Sequence, residues 1–264
     1  MNRKKQLFLD SIHDSPPSTQ SKSTWNLLNW NVRNPSVTRA INQVKWIREV
    51  NPDVVLLTEV KSSKGTRYLS DRLQALQYNV HFEEPYVGGY GSLLASKHPF
   101  SINEMNPDIV EQFGSRVVST KLSVTGQDIE LIGVYVPNRR DEVKRRFLEY
   151  LLNYLGIFPI ESLMFCGDLN VLEPDHIPHY SKFEDWEYGF YTSLEELGLV
   201  DAFRFLNSDQ VEYSWVGRTG DEYRYDHIFV SEDLTSKVTL CKYIHKPRID
   251  GLSDHSGMLI ELRT

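Results

Sequence analysis

Cysteine is nearly absent: the chain of 264 residues carries two, Cys166 and Cys241. Two thiols cannot build a disulfide framework. Cys166 sits in an apolar run that suits a buried thiol, so a reducing cytoplasmic setting is expected. Long apolar runs are missing as well. No stretch approaches the roughly 20 residues of a membrane span, and residues 6–12 are too few and too broken by Asp10 to read as a signal peptide. An excess of positive charge is also lacking, with 29 Lys and Arg against 36 Asp and Glu and a formal net charge of −7. Attraction to a polyanion rests on Lys and Arg meeting phosphates, so the total charge gives it no support. A basic rim can coexist with an acidic total, and a site that holds a cation itself needs acids. Internal linkers and low-complexity segments are missing after residue 24. Residues 13–24 are polar with a Pro pair, so residues 1–23 are expected to form a loosely ordered extension ahead of one domain, 24–264.

What is present is an alternation. Short apolar or alternating runs, bounded by turn signals such as Gly126-Gln127-Asp128, predict strands over 25–31, 53–58, 80–83, 92–96, 116–124 and 129–136, and again over 162–166, 225–231, 237–243 and 257–262. Val37, Ile41, Val44 and Ile47 lie near helical spacing with Pro52 beyond them, which predicts a helix over 37–50. Further helices are expected over 67–76, 141–154 and 191–197. This mixed order fits sheets covered by helices, an α/β fold.

The polar residues of interest share a placement. Asn31, Glu59, Tyr135, Asp168, Asn170, Asp226, Asp254 and His255 all fall within or beside strand ends. Several such ends converging on one rim would make a single pocket. Taken singly, an acid at a strand end is more often a helix cap or a solvated loop residue. In Phe165-Cys166-Gly167-Asp168-Leu169-Asn170, Gly marks the exit of an apolar strand and an acid and an amide follow two apart. Extended backbone would put both side chains on one face. An Asp can take a proton from water, and an Asn can hold that water or a phosphate. An Asx turn is the plain alternative. Ser253-Asp254-His255 sets a hard oxygen ligand beside an imidazole, and Glu59 supplies a second carboxylate. Asp226 precedes an apolar run, where a buried acid is costly unless paired. His255 is its natural partner, since a carboxylate fixes an imidazole's tautomer and raises its pKa.

Other features have plainer readings. Glu173, Asp175, His176 and His179 look like metal ligands, but Pro174 and Pro178 prevent a regular helix and a loop is expected. The basic run Arg139, Arg140, Lys144, Arg145 and Arg146 suits either a phosphate backbone or solvent. Trp46 suits core packing.

Six segments, taken together and in order, resemble the endonuclease/exonuclease/phosphatase superfamily: Asn29-Trp30-Asn31, Leu57-Thr58-Glu59-Val60-Lys61, Tyr135-Val136-Pro137-Asn138, Gly167-Asp168-Leu169-Asn170, Arg224-Tyr225-Asp226 and Ser253-Asp254-His255. The resemblance spans about residues 25–264. It implies a four-layer α/β sandwich of the DNase I-like type, two mainly antiparallel sheets face to face with helices outside. Thr58-Glu59-Val60-Lys61, Tyr135-Val136-Pro137-Asn138 and the stretch from Leu199 to Asp226 are most similar to the exonuclease III and abasic-site endonuclease branch. What the resemblance implies is a divalent-metal-dependent phosphodiesterase, a repair-type DNA endonuclease or exonuclease. Its metal would be Mg²⁺, with Mn²⁺ able to substitute, held by Asn31, Glu59 and Asp254. Asp168 would activate water, Asn170 would position it, and His255, held by Asp226, would stabilise the transition state with help from Tyr135. Asn138, Arg116 and Arg33 would contact the substrate phosphate. The expected partner is DNA, the expected state a monomer, with no membrane. A second reading from the same superfamily stays open: a phosphatase or phosphodiesterase acting on a lipid head group, an RNA tail or a phosphotyrosyl–DNA link.

Overall fold

Side-chain alternation along β1 (Thr24–Asn31) decides the architecture. Trp25 and Leu27 point into one apolar core while Leu28 and Trp30 point into another. The same split recurs along β2 (Val54–Val60), where Val54 and Leu56 face one way and Val55 and Leu57 the other. In β8 (Leu163–Asp168), Met164 and Cys166 join the first core while Leu163 and Phe165 join a third. Strands buried on both faces read as continuous apolar runs, and three stacked cores require four layers. The computed structural model describes residues 23–86, 88–105, 113–139 and 141–264. Residues 1–22, nearly all of the expected extension, lie outside the described residues.

The first sheet has the order β13-β14-β1-β2-β4-β3, adding β3 (Asn79–Phe82), β4 (Gly91–Ser96), β13 (Val238–Ile244) and β14 (Gly257–Arg263). The second has the order β5-β6-β7-β8-β12-β9, adding β5 (Phe100–Ile102), β6 (Val117–Val124), β7 (Gln127–Tyr135), β9 (Leu199–Asp201) and β12 (Asp226–Ser231). Between β9 and β12 a short hairpin pairs β10 (Trp215–Val216) with β11 (Glu222–Tyr223). Helices α1 (Val37–Val50) and α2 (Lys64–Ala75) cover the outer face of the first sheet through Ala40, Trp46, Ile47, Leu69 and Leu73. Helices α3 (Glu142–Gly156) and α4 (Asp185–Glu196) cover the second through Phe147, Leu151, Phe190 and Leu194. The chain therefore has the four-layer α/β sandwich expected of it. Trp46 is core, edge-on to Trp30 at 4.7 Å between ring centroids. Both cysteines are buried and free.

Helix α1 runs over the expected residues because its ends are marked. Ser36 accepts from Arg39 N, and Asn51 takes the left-handed conformation at the C-cap. Two other helices begin earlier than expected. In α2, Ser63 caps the first turn by accepting from Thr66 N, ahead of a Gly65 that hides the start. In α4, the acidic first turn with Asp185 and Glu187 precedes the apolar stretch that carried the sequence reading. Among the described residues no helix is long and apolar enough to cross a membrane.

Candidate active site

Each sheet has one parallel pair at its centre, β1 with β2 and β7 with β8. The carboxyl ends of those four strands therefore reach one rim. Their antiparallel neighbours β14 and β12 bring their amino ends to it. Asn31 ends β1 on the face shared with Trp25 and Leu27. Asp168 ends β8 on the face shared with Met164 and Cys166, and Asp226 opens β12 directly across the ladder from Asp168. The polar cluster is thus the inter-sheet core continued to the edge, with acids and amides replacing aliphatic side chains.

Three backbone irregularities aim the side chains. Strict alternation would turn Glu59 outward with Val55 and Leu57. A register shift between Leu57 and Val60, with φ of 56° at Glu59, turns it to the rim. Gly167 has φ of 150°, and a Cβ there would lie 1.9 Å from Val134 O, so only glycine allows the strand to deliver Asp168. Asn170 has φ of 50°, which corrects the expectation of extended backbone after the strand. Its N–H donates to Asp168 Oδ1 at 3.1 Å, an Asx turn, and this turn brings the Asp and Asn together. Left-handed backbone at non-glycine residues is strained and clusters at functional sites; Arg33 and Asn34 share it here.

Asn31 is the hub. Its Nδ2 donates to Asp168 Oδ2 at 2.8 Å and to Glu59 Oε2 at 3.0 Å, while its Oδ1 accepts from Arg33 N at 2.8 Å. His255 is buried, and its Nδ1 lies 2.7 Å from Asp226 Oδ2 and its Nε2 3.9 Å from Asp168 Oδ2. Burial works to lower the imidazole pKa, but the Asp226 and Asp168 carboxylates outweigh it and raise it, which favours the charged form of His255. In that form Nε2 carries a proton, and the 3.4 Å approach of Asn31 Nδ2 is then donor against donor. Asp168 is raised as well: burial raises its carboxyl pKa, His255 pulls it back, and Asp226 adds to the rise. Burial also raises Glu59, and nearby Asp254 contributes. Ser253 Oγ donates to Asn31 O at 2.6 Å and accepts from His255 N at 3.2 Å, tying the last motif to the first.

This charge distribution fits a divalent cation. Glu59 and Asp254 are neighbouring carboxylates, and Asp254 Oδ1 is buried without a hydrogen-bond partner among the described residues. Oxygen donors with no thiolate suit a hard ion. Asp168, Asp226 and His255 also bring ligand atoms within 4.8 Å of one another. His255 Nδ1 is already committed to Asp226, so Glu59, Asp254 and the remaining lone pair of Asn31 Oδ1 are the freer donor set.

A cavity of about 370 Å³ opens over the cluster. Arg33, Glu59, Tyr135, Asn138, Asp168, Asn170, Asp254 and His255 line it, so eight of the eleven candidate residues meet in one pocket. Asn31 and Asp226 are fully buried beneath. Arg116 lines an adjoining hollow of about 220 Å³ that shares Tyr135 and Asn138. It opens β6 from a 3₁₀ turn (Gly114–Arg116), donates to Tyr135 O at 3.2 Å and stacks over the Tyr135 ring at 4.9 Å. Tyr135 is buried, and burial with Glu59 and Asp168 nearby keeps its phenol protonated. Arg33 Nε sits 3.6 Å from Asp254 Oδ2.

Several site residues escaped the sequence reading of roles. Trp215 Nε1 donates to Asp254 Oδ2 at 3.3 Å, and its ring stacks parallel to Tyr223 at 5.2 Å to wall the pocket. Ser214 Oγ accepts from Asp226 N at 3.1 Å. Lys144, assigned to a basic surface run, is 1% exposed. Its signal was in the sequence: Lys144, Phe147, Leu148, Leu151 and Leu155 share one helical face. Arg145 pairs with Glu149 on the opposite side, and Arg140 lies outside the described residues. The 173–179 segment is a loop, as expected, but Glu173 and His176 are buried. Glu173 forms ion pairs with Arg204 and Arg224, and His176 Nε2 accepts from Arg224 N at 3.3 Å. A hollow of about 610 Å³ lies beside this loop and contains none of the candidate residues.

A rim of buried carboxylates, amides and a charged imidazole, with donors left for a hard cation, defines a class of metal-dependent hydrolases of phosphoric esters. The family pattern of the Endonuclease/Exonuclease/phosphatase family matches residues 28–255, and the chain belongs to that family. An exodeoxyribonuclease of Bacillus subtilis (strain 168) is 27% identical over 236 residues, covering 80% of this chain and 90% of the relative. Among solved structures, an AP endonuclease from Archaeoglobus fulgidus superposes with a TM-score of 0.76 at 22% identity, covering 89% of this chain and 98% of that one. A 3′ phosphatase from Neisseria bound to a product DNA hairpin superposes with a TM-score of 0.74 at 20% identity, covering 91% and 100%.

Proposed function

We propose that the chain is a repair-type DNA nuclease that hydrolyses phosphodiester bonds with water activated by Asp168, using Mg²⁺ or, in its place, Mn²⁺. The observation that carries this reading is the Asn31 hub, which fixes Glu59 and Asp168 within hydrogen-bond reach of one amide beside His255. Glu59 and Asp254, with Asn31 Oδ1, would hold the cation. A cation held there neutralises charge developing on phosphoryl and leaving oxygens.

Asp168 takes the proton of the attacking water, since a carboxyl raised toward neutrality is a better general base than an ordinary one. Asn170, pinned by its turn, holds that water. His255 keeps Nδ1–H on Asp226 and offers Nε2–H to a phosphoryl oxygen, a preorganised donor held by its buried partner. Tyr135, protonated, adds a polar contact. Arg116, Asn138 and Arg33 contact phosphates flanking the cut. DNA is the favoured substrate because the exodeoxyribonuclease relative matches most of the chain and the Tyr135–Asn138 segment resembles the repair branch.

The test is a rate comparison at equal enzyme on intact, nicked and abasic duplex DNA, single strands, RNA and phosphoinositides. DNA cleavage should vanish with chelator and return with Mg²⁺ or Mn²⁺. Full turnover after exhaustive chelation would sink the mechanism. Fast hydrolysis of a phosphoinositide with no cleavage of any DNA would replace the nuclease reading with the phosphatase one.

A further inference from the structure

Lys144 and Glu187 form an ion pair sealed from water, on α3 and α4 respectively, with side chains 1% and 0% exposed. Neither belongs to the six motifs. Glu187 Oε2 accepts from Glu184 N at 3.0 Å and so caps α4, while Oε1 receives Lys144 Nζ. Lys144 Nζ also donates to Asn170 O at 2.7 Å. A buried ion pair gives little net stability compared with apolar side chains of the same volume, so its position beside Asn170 bears more on its role than its charge does.

Asn170 stands in strained left-handed backbone and has three anchors. Its N–H is held by Asp168 Oδ1 and its Nδ2 by Val136 O at 2.9 Å. Its carbonyl is held by Lys144. The first two anchors hold the amide side of the residue; the Lys144 bond holds its carbonyl as well, so the strained left-handed backbone cannot relax and shift the side-chain amide that lines the pocket. We propose that the Lys144–Glu187 pair is a positioning device for Asn170, with the capped end of α4 as its fixed point. The inference rests on the role given above to Asn170. Lys144 lies in the wall of the cavity, but its Nζ is directed to Glu187 and to Asn170 O, so it acts through the Asn170 backbone.

The experiment is a double-mutant cycle between the pair and Asn170. Lys144→Met with Glu187→Gln removes both buried charges and the donor to Asn170 O, while the Gln oxygen can still cap α4. Turnover is measured with Mn²⁺ on nicked or abasic duplex DNA and on bis(para-nitrophenyl) phosphate, so that a wild type inactive on DNA but active on the synthetic diester sinks only the DNA reading. A misplacement of about 1 Å can cost on the order of 10²-fold. The paired variant should therefore lose about 10- to 100-fold in kcat with KM nearly unchanged. In an Asn170→Ala background the same pair of changes should cost less than about 3-fold, because residues acting as a unit do not add. Glu187→Gln alone, which keeps the Lys144 donor and the cap, should show the same dependence on Asn170 in weaker form, and it carries the test if the paired variant fails to fold. Wild-type kcat in a folded variant, or equal losses with and without Asn170, would overturn the proposal, as would a wild type that hydrolyses neither substrate.

Discussion

Two buried polar clusters lie two residues apart on the chain, and they are opposite in character. Around Arg224 every group is answered. Its guanidinium donates to Glu173 Oε1 at 3.0 Å, Glu173 Oε2 at 2.6 Å and Asp201 Oδ2 at 2.8 Å. Asp201 also caps α5 (Ala202–Leu206), accepting from Phe203 N and Arg204 N. Although burial opposes it, Arg204 and Arg224 hold Glu173 down at about 2, and Arg224 and His227 hold Asp201 well below the usual carboxylate range. Around Asp226 the sign reverses. Three acids, Glu59, Asp168 and Asp226, share one buried cation, His255; Asp168 and Glu59 are raised, and Asp226 Oδ1 and Asp254 Oδ1 have no partner among the described residues. A cluster complete in itself holds a fold together, whereas one short of positive charge is prepared for a cation and a phosphate.

The contrast is sharpest when one residue of each cluster is changed. Asp168→Asn removes a general base, typically worth about 10²–10⁴-fold, and His255→Ala removes a preorganised donor worth roughly 10²–10³-fold. Both should cut kcat by these factors. Asp168→Asn should leave the melting temperature unchanged or higher, since it relieves crowded acids. Steady-state kinetics beside thermal melts decide it. Near wild-type kcat in a folded variant would remove that residue from the chemistry.

Arg224→Met should do the reverse. Deleting one partner of a buried pair leaves charges uncompensated and costs about 3–5 kcal/mol, here by stranding Glu173 and Asp201. Urea unfolding should record that loss, while the fraction still folded keeps kcat within several-fold. A variant as stable as wild type would mean that the network adds nothing to the fold.

Acid separates the clusters by pH. Glu173 and Asp201 have folded pKa values below their unfolded ones, so the stability they give is complete above the ordinary 4.5 of Glu173 and is lost as pH falls toward its folded value of about 2. Unfolding midpoints should drop between about pH 4.5 and 2, and the drop should shrink in Glu173→Gln/Asp201→Asn, which is less stable at neutral pH but less acid-sensitive. Equal acid slopes in the two proteins would contradict the assignment.

The motif cluster was legible in the sequence and the Arg224 cluster was not. Asp168, Glu59 and His255 lie beside apolar strand ends, where a charged side chain is conspicuous, and strand ends converge on a rim in layered α/β folds. The pairing of Asp226 with His255 could be read because a buried acid needs a partner. Glu173 lay in a segment whose local pattern said loop, and the helical face that records the burial of Lys144 does not name its partner. Their partners are 51 and 43 residues away in sequence, and no local period records a contact of that kind. The aim of Glu59 was hidden too, since a one-residue bulge reverses the face that alternation assigns.

The smallest expected effect tests whether Asp226 belongs to the chemistry or to the frame beside it. It follows Arg224 by two residues, its N–H is held by Ser214, and Tyr243 Oη donates to its carbonyl at 2.5 Å, so its backbone is tied into the structural cluster. Its carboxylate reaches the other way, to His255 Nδ1. If the side chain serves to orient and charge the imidazole, removing it should matter while His255 is present and hardly at all once His255 is gone. Asp226→Ala should lower kcat strongly by itself. Added to His255→Ala, it should cost less than about 3-fold more, because groups that act as a unit are not additive. Losses that multiply would give Asp226 a task of its own at the phosphate, and the division between the two clusters would then have to be drawn at Arg224 alone.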